Sequence, residues 1–487
     1  MNAYVPLSLW EVLLVLGAVA LVGARWLVPR PRRPVTLTAA AMTVAAGVVL
    51  GVLGLRWQMV PVLAGAALAL PFAVSPLLRR GAGGTGGAGG TGGARRAPWW
   101  LALPGAAVCL ALVAAGPVTA WALPTPVFPE PSGRFGVGTG VLELTDQERP
   151  ETATAAPEDR RTVVVQLWYP ARKGAAGGRP APYLGRTEHE GRVVAGALAD
   201  YSGLPGFLLD GLPRARTRAS YEVPVADGAD RFPVVLFSPG LGGVRAQNTA
   251  WAEELASHGY VVAGIDHPYD SAAVVLADGR TVRTEVSATG DDAEDERRAA
   301  RWTAVRAADL SFVRAQLGRI HSGAIAGPLS GRLDTARVVA AGHSIGGGAA
   351  LQAARQDPEF AAVIDLDGFP HDPAPQPYRQ PVLALTQAIG PDTDPDYLPQ
   401  LTRVLALSSA TTYRLSVPGA GHLTFTDAPL YLPPLPSLVG SLGRTEGPRV
   451  TAAASLAFLD AVLRPGAGDP AAALSAYGTL AVHRPGS

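Results

Sequence analysis

Apolar residues follow two different rhythms along the 487-residue chain. Before residue 124 they form four nearly unbroken stretches, Leu7–Val28, Val35–Leu55, Val60–Leu78 and Trp99–Leu123. Each is close to the roughly 20 residues that cross a bilayer's hydrocarbon. Trp10, Trp26, Trp57, Trp99, Trp100 and Trp121 stand near the ends of these stretches, at the level an amphipathic ring prefers. The pattern predicts four transmembrane helices within residues 1–123. The start, Met1–Trp10, carries no positive charge, and no small-residue cleavage site follows, so the first stretch reads as a retained helix rather than a leader.

Beyond Pro124 the rhythm shortens. Pro124–Pro131 is proline-rich and reads as an extended spacer, within a linker over 124–135. From 136 to 487, short β-branched runs alternate with helical patterns, as in a parallel sheet. Strands are expected at Thr162–Tyr169, Pro233–Ser238, Val261–Ile265, Arg337–Gly342, Ala362–Asp365, Pro381–Leu385 and Thr412–Ser416. Helices are expected at Thr249–Ser257, Arg301–Leu317, Gly346–Arg355 and Arg449–Leu463.

Charge adds orientation and removes some partners. Arg25, Arg30, Arg32 and Arg33 follow the first apolar stretch, and Arg79, Arg80, Arg95 and Arg96 separate the third from the fourth. The opposite side carries only Arg56. Basic loops stay cytoplasmic, so the N-terminus and everything after Leu123 are expected outside the cell membrane. Gly81–Ala94, nearly all Gly, Ala and Thr, reads as a flexible connector. Hydrophobic residues make up 48% and charged residues 17%, which excludes a disordered chain. A formal net charge of +1 gives no reason to expect nucleic acid. Cys109 is the single cysteine, so neither an intrachain disulfide nor a cysteine metal cluster can form.

Candidate chemistry centres on Gly342-His343-Ser344-Ile345-Gly346. The pattern G-x-S-x-G is weak alone in a chain with 57 glycines. Here an expected strand leads in and an expected helix leads out, which is the context its mechanics need. A sharp strand-to-helix turn would lift the Ser344 hydroxyl off the sheet, and Gly342 and Gly346 would leave it room. A serine hydroxyl needs a base, and the base needs an orienting acid. In the α/β-hydrolase arrangement the chain order is Ser, acid, His. Asp365 and Asp367 both follow an apolar run; Asp367 lies where the strand should stop and is preferred, with Asp365 the fallback. His371, His422 and His483 follow. His371 is too close to the acid and His483 lies in the tail, whereas His422 sits in a glycine-rich loop after strand Thr412–Ser416. The tetrahedral oxyanion needs backbone donors, expected at Ile345 and at Leu241 in the loop after Pro233–Ser238. No metal or cofactor is required.

These residues together resemble plasma-type platelet-activating factor acetylhydrolases and their bacterial relatives. The likeness runs from about Pro131 to Leu463. It takes in segments 133–139 (Gly-Arg-Phe-Gly-Val-Gly-Thr), 164–170 (Val-Gln-Leu-Trp-Tyr-Pro from Val165 on), 237–242, 255–262, 342–347, Leu366-Asp367 and Gly421-His422. The resemblance implies a triad of Ser344, Asp367 and His422, with oxyanion amides at Leu241 and Ile345. It also implies hydrolysis of short or oxidised acyl esters of phospholipids without calcium. Four membrane helices, and Ser238-Pro-Gly where animal members resemble Ser-His-Gly, depart from the family pattern and bear on the substrate. A cutinase-like polyester hydrolase or general lipase of the same fold shares the triad. A non-catalytic membrane ectodomain is the rival of another class, and a peptidase a distant third.

Other features have plainer readings. His258 caps a helix end, and His267 could line the mouth of the site. The acidic run Asp291–Glu296 lacks the ligand alternation of a calcium loop and fits the lead-in to a helix. The apolar segment Gly203–Leu209 falls where such folds often carry a lid, and it could line an acyl pocket, touch the membrane or simply pack in the core.

Overall fold

The computed structural model describes residues 7–485 except 82–101, 173, 175–177, 222, 229–230, 288, 389, 391–393, 465 and 467. Most of the expected connector Gly81–Ala94, the tryptophan pair Trp99 and Trp100, and Arg95 and Arg96 therefore lie outside the described residues. The chain divides into two compact units, Met1–Thr125 and Pro126–Ser487.

The first unit holds α1 (Leu9–Gly23), α2 (Pro29–Leu53), α3 (Val60–Gly81) and α4 (Leu103–Ala122). All four are long and apolar enough to cross a membrane. Leu14, Ala18 and Leu21 pack with Ala46, Val62, Cys109 and Val113 inside, while Val44, Val52, Phe72 and Val118 are exposed. Outward-facing apolar side chains are what lipid would cover. Small residues bring the helices close: Gly65 backs onto the Cys109 carbonyl. Helix α2 begins six residues before the expected Val35 and takes Arg30, Arg32 and Arg33 into its first turns. Pro29 and Pro31 allow this, because a first-turn amide has no intrahelical acceptor to lose.

The second unit carries an eleven-stranded sheet and a two-stranded one among the described residues. The strands are β1 (Gly136–Pro150), β2 (Arg160–Ala171), β3 (Pro180–Pro182), β4 (Arg216–Tyr221), β5 (Phe232–Ser238), β6 (Val261–Asp266), β7 (Ala273–Val275), β8 (Thr281–Arg283), β9 (Leu333–His343), β10 (Phe360–Leu366), β11 (Val382–Thr386), β12 (Thr412–Ser416) and β13 (Thr479–His483). The large sheet runs β13-β12-β11-β10-β9-β5-β6-β2-β1-β4-β3. From β12 to β6 every neighbouring pair is parallel; β2 joins β6, and β13 joins β12, antiparallel. Helices α5 (Glu188–Tyr201), α6 (Thr249–Ser257), α7 (Asp292–His321), α8 (Ile345–Gln356), α9 (Tyr397–Leu405), α10 (Pro436–Val439), α11 (Glu446–Leu463) and α12 (Ala471–Leu474) accompany it.

Both faces of the central strands are buried, which is why β5 reads as a continuous apolar run. Val234 and Leu236 join one core with Leu310 and Val313 of α7. Val235 and Phe237 join the other with Trp251 of α6 and Phe458 of α11. The alternation follows from the two-residue strand period.

Two expectations need correction. Helix α7 is 30 residues long and starts at Asp292 rather than Arg301. Asp291 caps it through the Glu294 amide, and Glu294 pairs with Arg298 at 2.9 Å, so the acidic run is the first turns of the helix itself. The stretch read as a spacer is docked from Pro126 onward. Phe128 is buried against Tyr183, and the Gly133 amide donates to Ser257 Oγ at 3.0 Å. His483, placed by the sequence in the tail, belongs there to edge strand β13, opposite Thr412.

Candidate active site

The strand order reverses direction between β9 and β5. The chain passes from β5 to β6 on one side and then crosses back to β9 on the other. Such a switch opens a crevice at the carboxyl ends of the two strands. Ser344 follows β9 there, and the 239–243 loop follows β5.

Ser344 has φ 57° and ψ −129°, a conformation strained for a residue with a Cβ, and it is the N-cap of α8. The tight turn depends on bare backbone around it. A Cβ at Gly342 would run into the Gly346 carbonyl, and one at Gly346 into Ser238 O. The turn is tied to the next strand by the Ser344 amide, which donates to Leu366 O at 3.0 Å.

Asp367 follows directly, also at positive φ (53°). That twist turns its carboxylate out of the β10 pleat. His422 Nδ1 donates to Asp367 Oδ2 at 2.7 Å. Oδ1 accepts from the Gln387 amide at 2.8 Å and from Tyr397 Oη at 3.0 Å. Burial and the Asp367 charge hold the Tyr397 phenol protonated, so it serves as a donor. Asp365, two residues earlier, is turned elsewhere. Its Oδ1 accepts from the Gly368 amide at 2.8 Å, and Oδ2 has no hydrogen-bond partner. Burial, then the nearby Asp367 charge, pushes the Asp365 carboxyl well above the usual range.

His422 is half exposed, and its ring centroid lies 4.5 Å from that of His343. His343 Nε2 donates to the His422 carbonyl at 3.0 Å, and Nδ1 accepts from Gln247 Nε2 at 2.9 Å. Burial, then the proximity of His422, holds the His343 pKa well below the ordinary histidine value, so His343 is a neutral spacer. Among the described residues neither Ser344 Oγ nor His422 Nε2 makes a hydrogen bond. Their backbones are held together through His343, and such contacts often close only around substrate.

Leu241, Ser344 and Ile345 line one cleft of about 1000 Å³, with Tyr201, Trp302 and Glu296 on its walls. Among the described residues the Leu241 and Ile345 amides donate to no acceptor, although the flanking Gly240 and Gly242 amides do. Positive φ at Gly242 (68°) shapes this loop, and the Tyr201 ring fills the space a side chain there would need.

His267 does not line the mouth of the site. It is fully buried, with Nε2 accepting from Ser238 Oγ at 3.0 Å and Nδ1 donating to Asp309 at 2.8 Å. His258 ends α6 beside Glu254, as its position suggested. His371 lines the cleft but pairs with Glu296 at 3.0 Å. Leu204 and Phe207 of the 203–209 segment are exposed. Among the described residues no group of three or more His, Cys, Asp or Glu could hold a metal. Tyr397, Gln387 and Gln247 had no signal in the sequence; His343 stood inside the serine motif, and only its packing gives it a role.

A family model described as platelet-activating factor acetylhydrolase, isoform II, matches residues 124–465. A protein of Arthroderma benhamiae, named as a probable 1-alkyl-2-acetylglycerophosphocholine esterase, is 29% identical over 329 residues, spanning 62% of this chain and 76% of that one. The platelet-activating factor acetylhydrolase of Cavia porcellus is 30% identical over 183 residues, 33% of this chain and 41% of that protein. Among solved structures, the ferulic acid esterase from Streptomyces cinnamoneus is similar with a TM-score of 0.58 at 28% identity, over 73% of this chain and 99% of that chain. The serine turn and its crevice thus stand inside a region of known esterase ancestry. This chain is a carboxylic ester hydrolase that belongs to the family of platelet-activating factor acetylhydrolase, isoform II.

Proposed function

We propose that Ser344 is the nucleophile of an α/β-hydrolase-type acyl-enzyme mechanism, with His422 as base and Asp367 as the acid that orients it. The observation that carries this reading is the 2.7 Å bond from His422 Nδ1 to Asp367, one strand end from a serine at positive φ. With Nδ1–H given to Asp367, Nε2 is left as the acceptor for the Ser344 proton. Ser344 Oγ then bonds the ester carbonyl carbon, and the carbonyl π-electrons move onto oxygen. The Leu241 and Ile345 amides take that oxyanion. The C–O bond to the leaving alcohol breaks as His422 returns the proton. Water, deprotonated by His422, repeats the cycle on the acyl-enzyme and frees Ser344.

The substrate class we propose is a phospholipid with a short or oxidised acyl chain, in keeping with the relatives' names. Esters of an aromatic acid are the second reading, favoured by the name of the ferulic acid esterase and by Trp302 on the cleft wall. We also place the four apolar helices across a bilayer, with the basic loops cytoplasmic and the catalytic unit outside.

A fluorophosphonate probe followed by peptide mapping tests the chemistry. The label is expected on Ser344, and Ser344→Ala should lose labelling and hydrolysis while melting like the parent. A label on another residue refutes the assignment. Ranking short-chain phospholipid, methyl ferulate, long triglyceride and polyester by kcat/KM tests the substrate. Cysteines placed at Arg95 and Arg192 test topology. A membrane-impermeant maleimide on intact cells should reach only the second, and the reverse pattern inverts the orientation.

A further inference from the structure

The Gly240–Leu241 peptide carries the amide assigned above to the oxyanion, and its carbonyl is gripped from behind. Gly240 O accepts from Arg306 Nη2 at 3.1 Å and from the Gly243 amide at 2.8 Å. Arg306 Nη1 donates to Ser238 Oγ at 3.1 Å and also to Pro239 O. The guanidinium is in turn clamped by Asp270, whose two oxygens each lie 2.6 Å from it, one at Nε and one at Nη2. Asp270 Oδ1 also accepts from the Gly242 amide at 3.4 Å. One buried ion pair therefore holds the carbonyls of 239 and 240 and the amide of 242, on both sides of Leu241. Arg306 is wholly buried in α7, 65 residues along the chain from Leu241. The peptide lies against the serine: a Cβ at Gly240 would sit 3.5 Å from Ser344 Cβ.

We propose that Arg306 is a positioning residue for ester hydrolysis, aiming and polarising the Leu241 N–H through the carbonyl of the same peptide. The inference rests on the assignment of Leu241 as an oxyanion donor. A trans peptide is planar, with its N–H directed opposite its C=O, so a pinned oxygen sets the direction of the hydrogen. A cation on that oxygen draws density through the amide resonance and strengthens the donor at the other end. A donor already aimed costs no reorganisation when charge develops on the substrate. A buried ion pair is often no more stabilising than an apolar pair of equal volume. Its placement on this one peptide is what gives the charge a use.

Two variants test the idea: Arg306→Lys, and the double variant Arg306→Met/Asp270→Asn, which leaves no unpaired buried charge. Each is compared with the parent by thermal melting, by fluorophosphonate titration of active sites, and by kcat and KM on p-nitrophenyl acetate. The Ki of a trifluoromethyl ketone, which adds to the serine and forms an oxyanion, completes the set. The double variant should titrate fully yet lose about 10–100-fold in kcat, less than the loss from deleting a donor outright. KM should move by no more than about threefold, and the ketone Ki should rise in step with the fall in kcat/KM. Arg306→Lys should recover part of the loss, and it carries the test alone if the double variant does not fold. A folded, titratable double variant with kcat/KM within about threefold of the parent overturns the proposal, and where the double variant does not fold, an Arg306→Lys enzyme with unimpaired kcat/KM overturns it instead. Replacing Leu241 by its α-hydroxy acid, which removes the N–H, separates this from the underlying reading. If that replacement costs activity and the Arg306 variants do not, only the role of Arg306 fails. If it costs nothing, the Leu241 assignment fails.

Discussion

Asp367→Asn should cost far more than removal of one hydrogen bond, because the structure dictates which way the new amide must face. Oδ1 of Asp367 accepts from two donors, the Gln387 amide and Tyr397 Oη. The Gln387 backbone amide cannot accept from an amide nitrogen in that place, and Tyr397 Oη could do so only by giving up its own donation. The asparagine oxygen is therefore held at the Oδ1 position, and its NH2 takes the place of Oδ2, 2.7 Å from His422 Nδ1. Nδ1 must then become an acceptor, which moves the ring proton to Nε2. The nitrogen that should receive the Ser344 proton is already occupied. Loss of the correct tautomer costs about 10⁴ in kcat in a serine triad, or about 5 kcal/mol in barrier. The assay is p-nitrophenyl acetate hydrolysis under saturating substrate, normalised by titrated sites, with Asp365→Asn alongside. Burial and the Asp367 charge favour the protonated form of Asp365, which an amide mimics closely, so its loss should stay within about tenfold. An Asp367→Asn enzyme keeping more than a tenth of the parent kcat, or one less impaired than Asp365→Asn, would refute the reasoning.

Other expectations are more modest. Tyr397→Phe removes one of three hydrogen bonds to Asp367 and should lower kcat about three- to tenfold with little change in melting temperature; an unchanged kcat would show that the Gln387 amide suffices. Glu253, buried in α6, accepts from the Ala219 amide at 2.6 Å while Oε2 has no partner, and burial pushes its pKa to about 8. An acid whose folded pKa exceeds the unfolded value near 4.3 binds its proton more tightly when folded, so stability falls as pH rises from about 4.3 to about 8. Glu253→Gln should therefore gain on the parent in melting temperature across that window, by at most about 1.4 kcal/mol per pH unit, and level off above it; a gap that does not change with pH would contradict this. A fragment comprising residues 126–487 should fold and hydrolyse p-nitrophenyl acetate with kcat/KM within about threefold of the whole chain, since the solved esterase relative aligns over 99% of its own length. A fragment that aggregates or shows no activity would mean that the first unit is needed.

The features legible along the chain were those set by neighbours within one element. Four apolar stretches announced four long helices because a run of about 20 apolar residues is a signal carried within one element, and all four are long and apolar enough to cross a membrane. Strand β12 and helix α6 have the expected bounds, and β5 begins one residue early, because an apolar run ending at glycine or proline is a local signal. The strand–turn–helix around Ser344 was readable for the same reason: its glycines and its positive-φ serine lie within five residues. What tertiary structure decided was direction and distant partnership. Asp365 and Asp367 are the same residue type at the same strand end. Only the backbone twist at Asp367 sends one carboxylate to His422 and leaves the other beneath Gly347 and Gly368. Tyr397 and Gln387 reach Asp367 from 30 and 20 residues away, and no periodicity links them. Arg306 looks in sequence like one more charge on a long helix. It is buried because α7 packs on β5, where Asp270 and two loop carbonyls replace the water its guanidinium gives up. A local pattern records what one element needs for its own stability. The pairing of a buried charge depends on which elements the sheet brings side by side, and no stretch of chain carries that information alone.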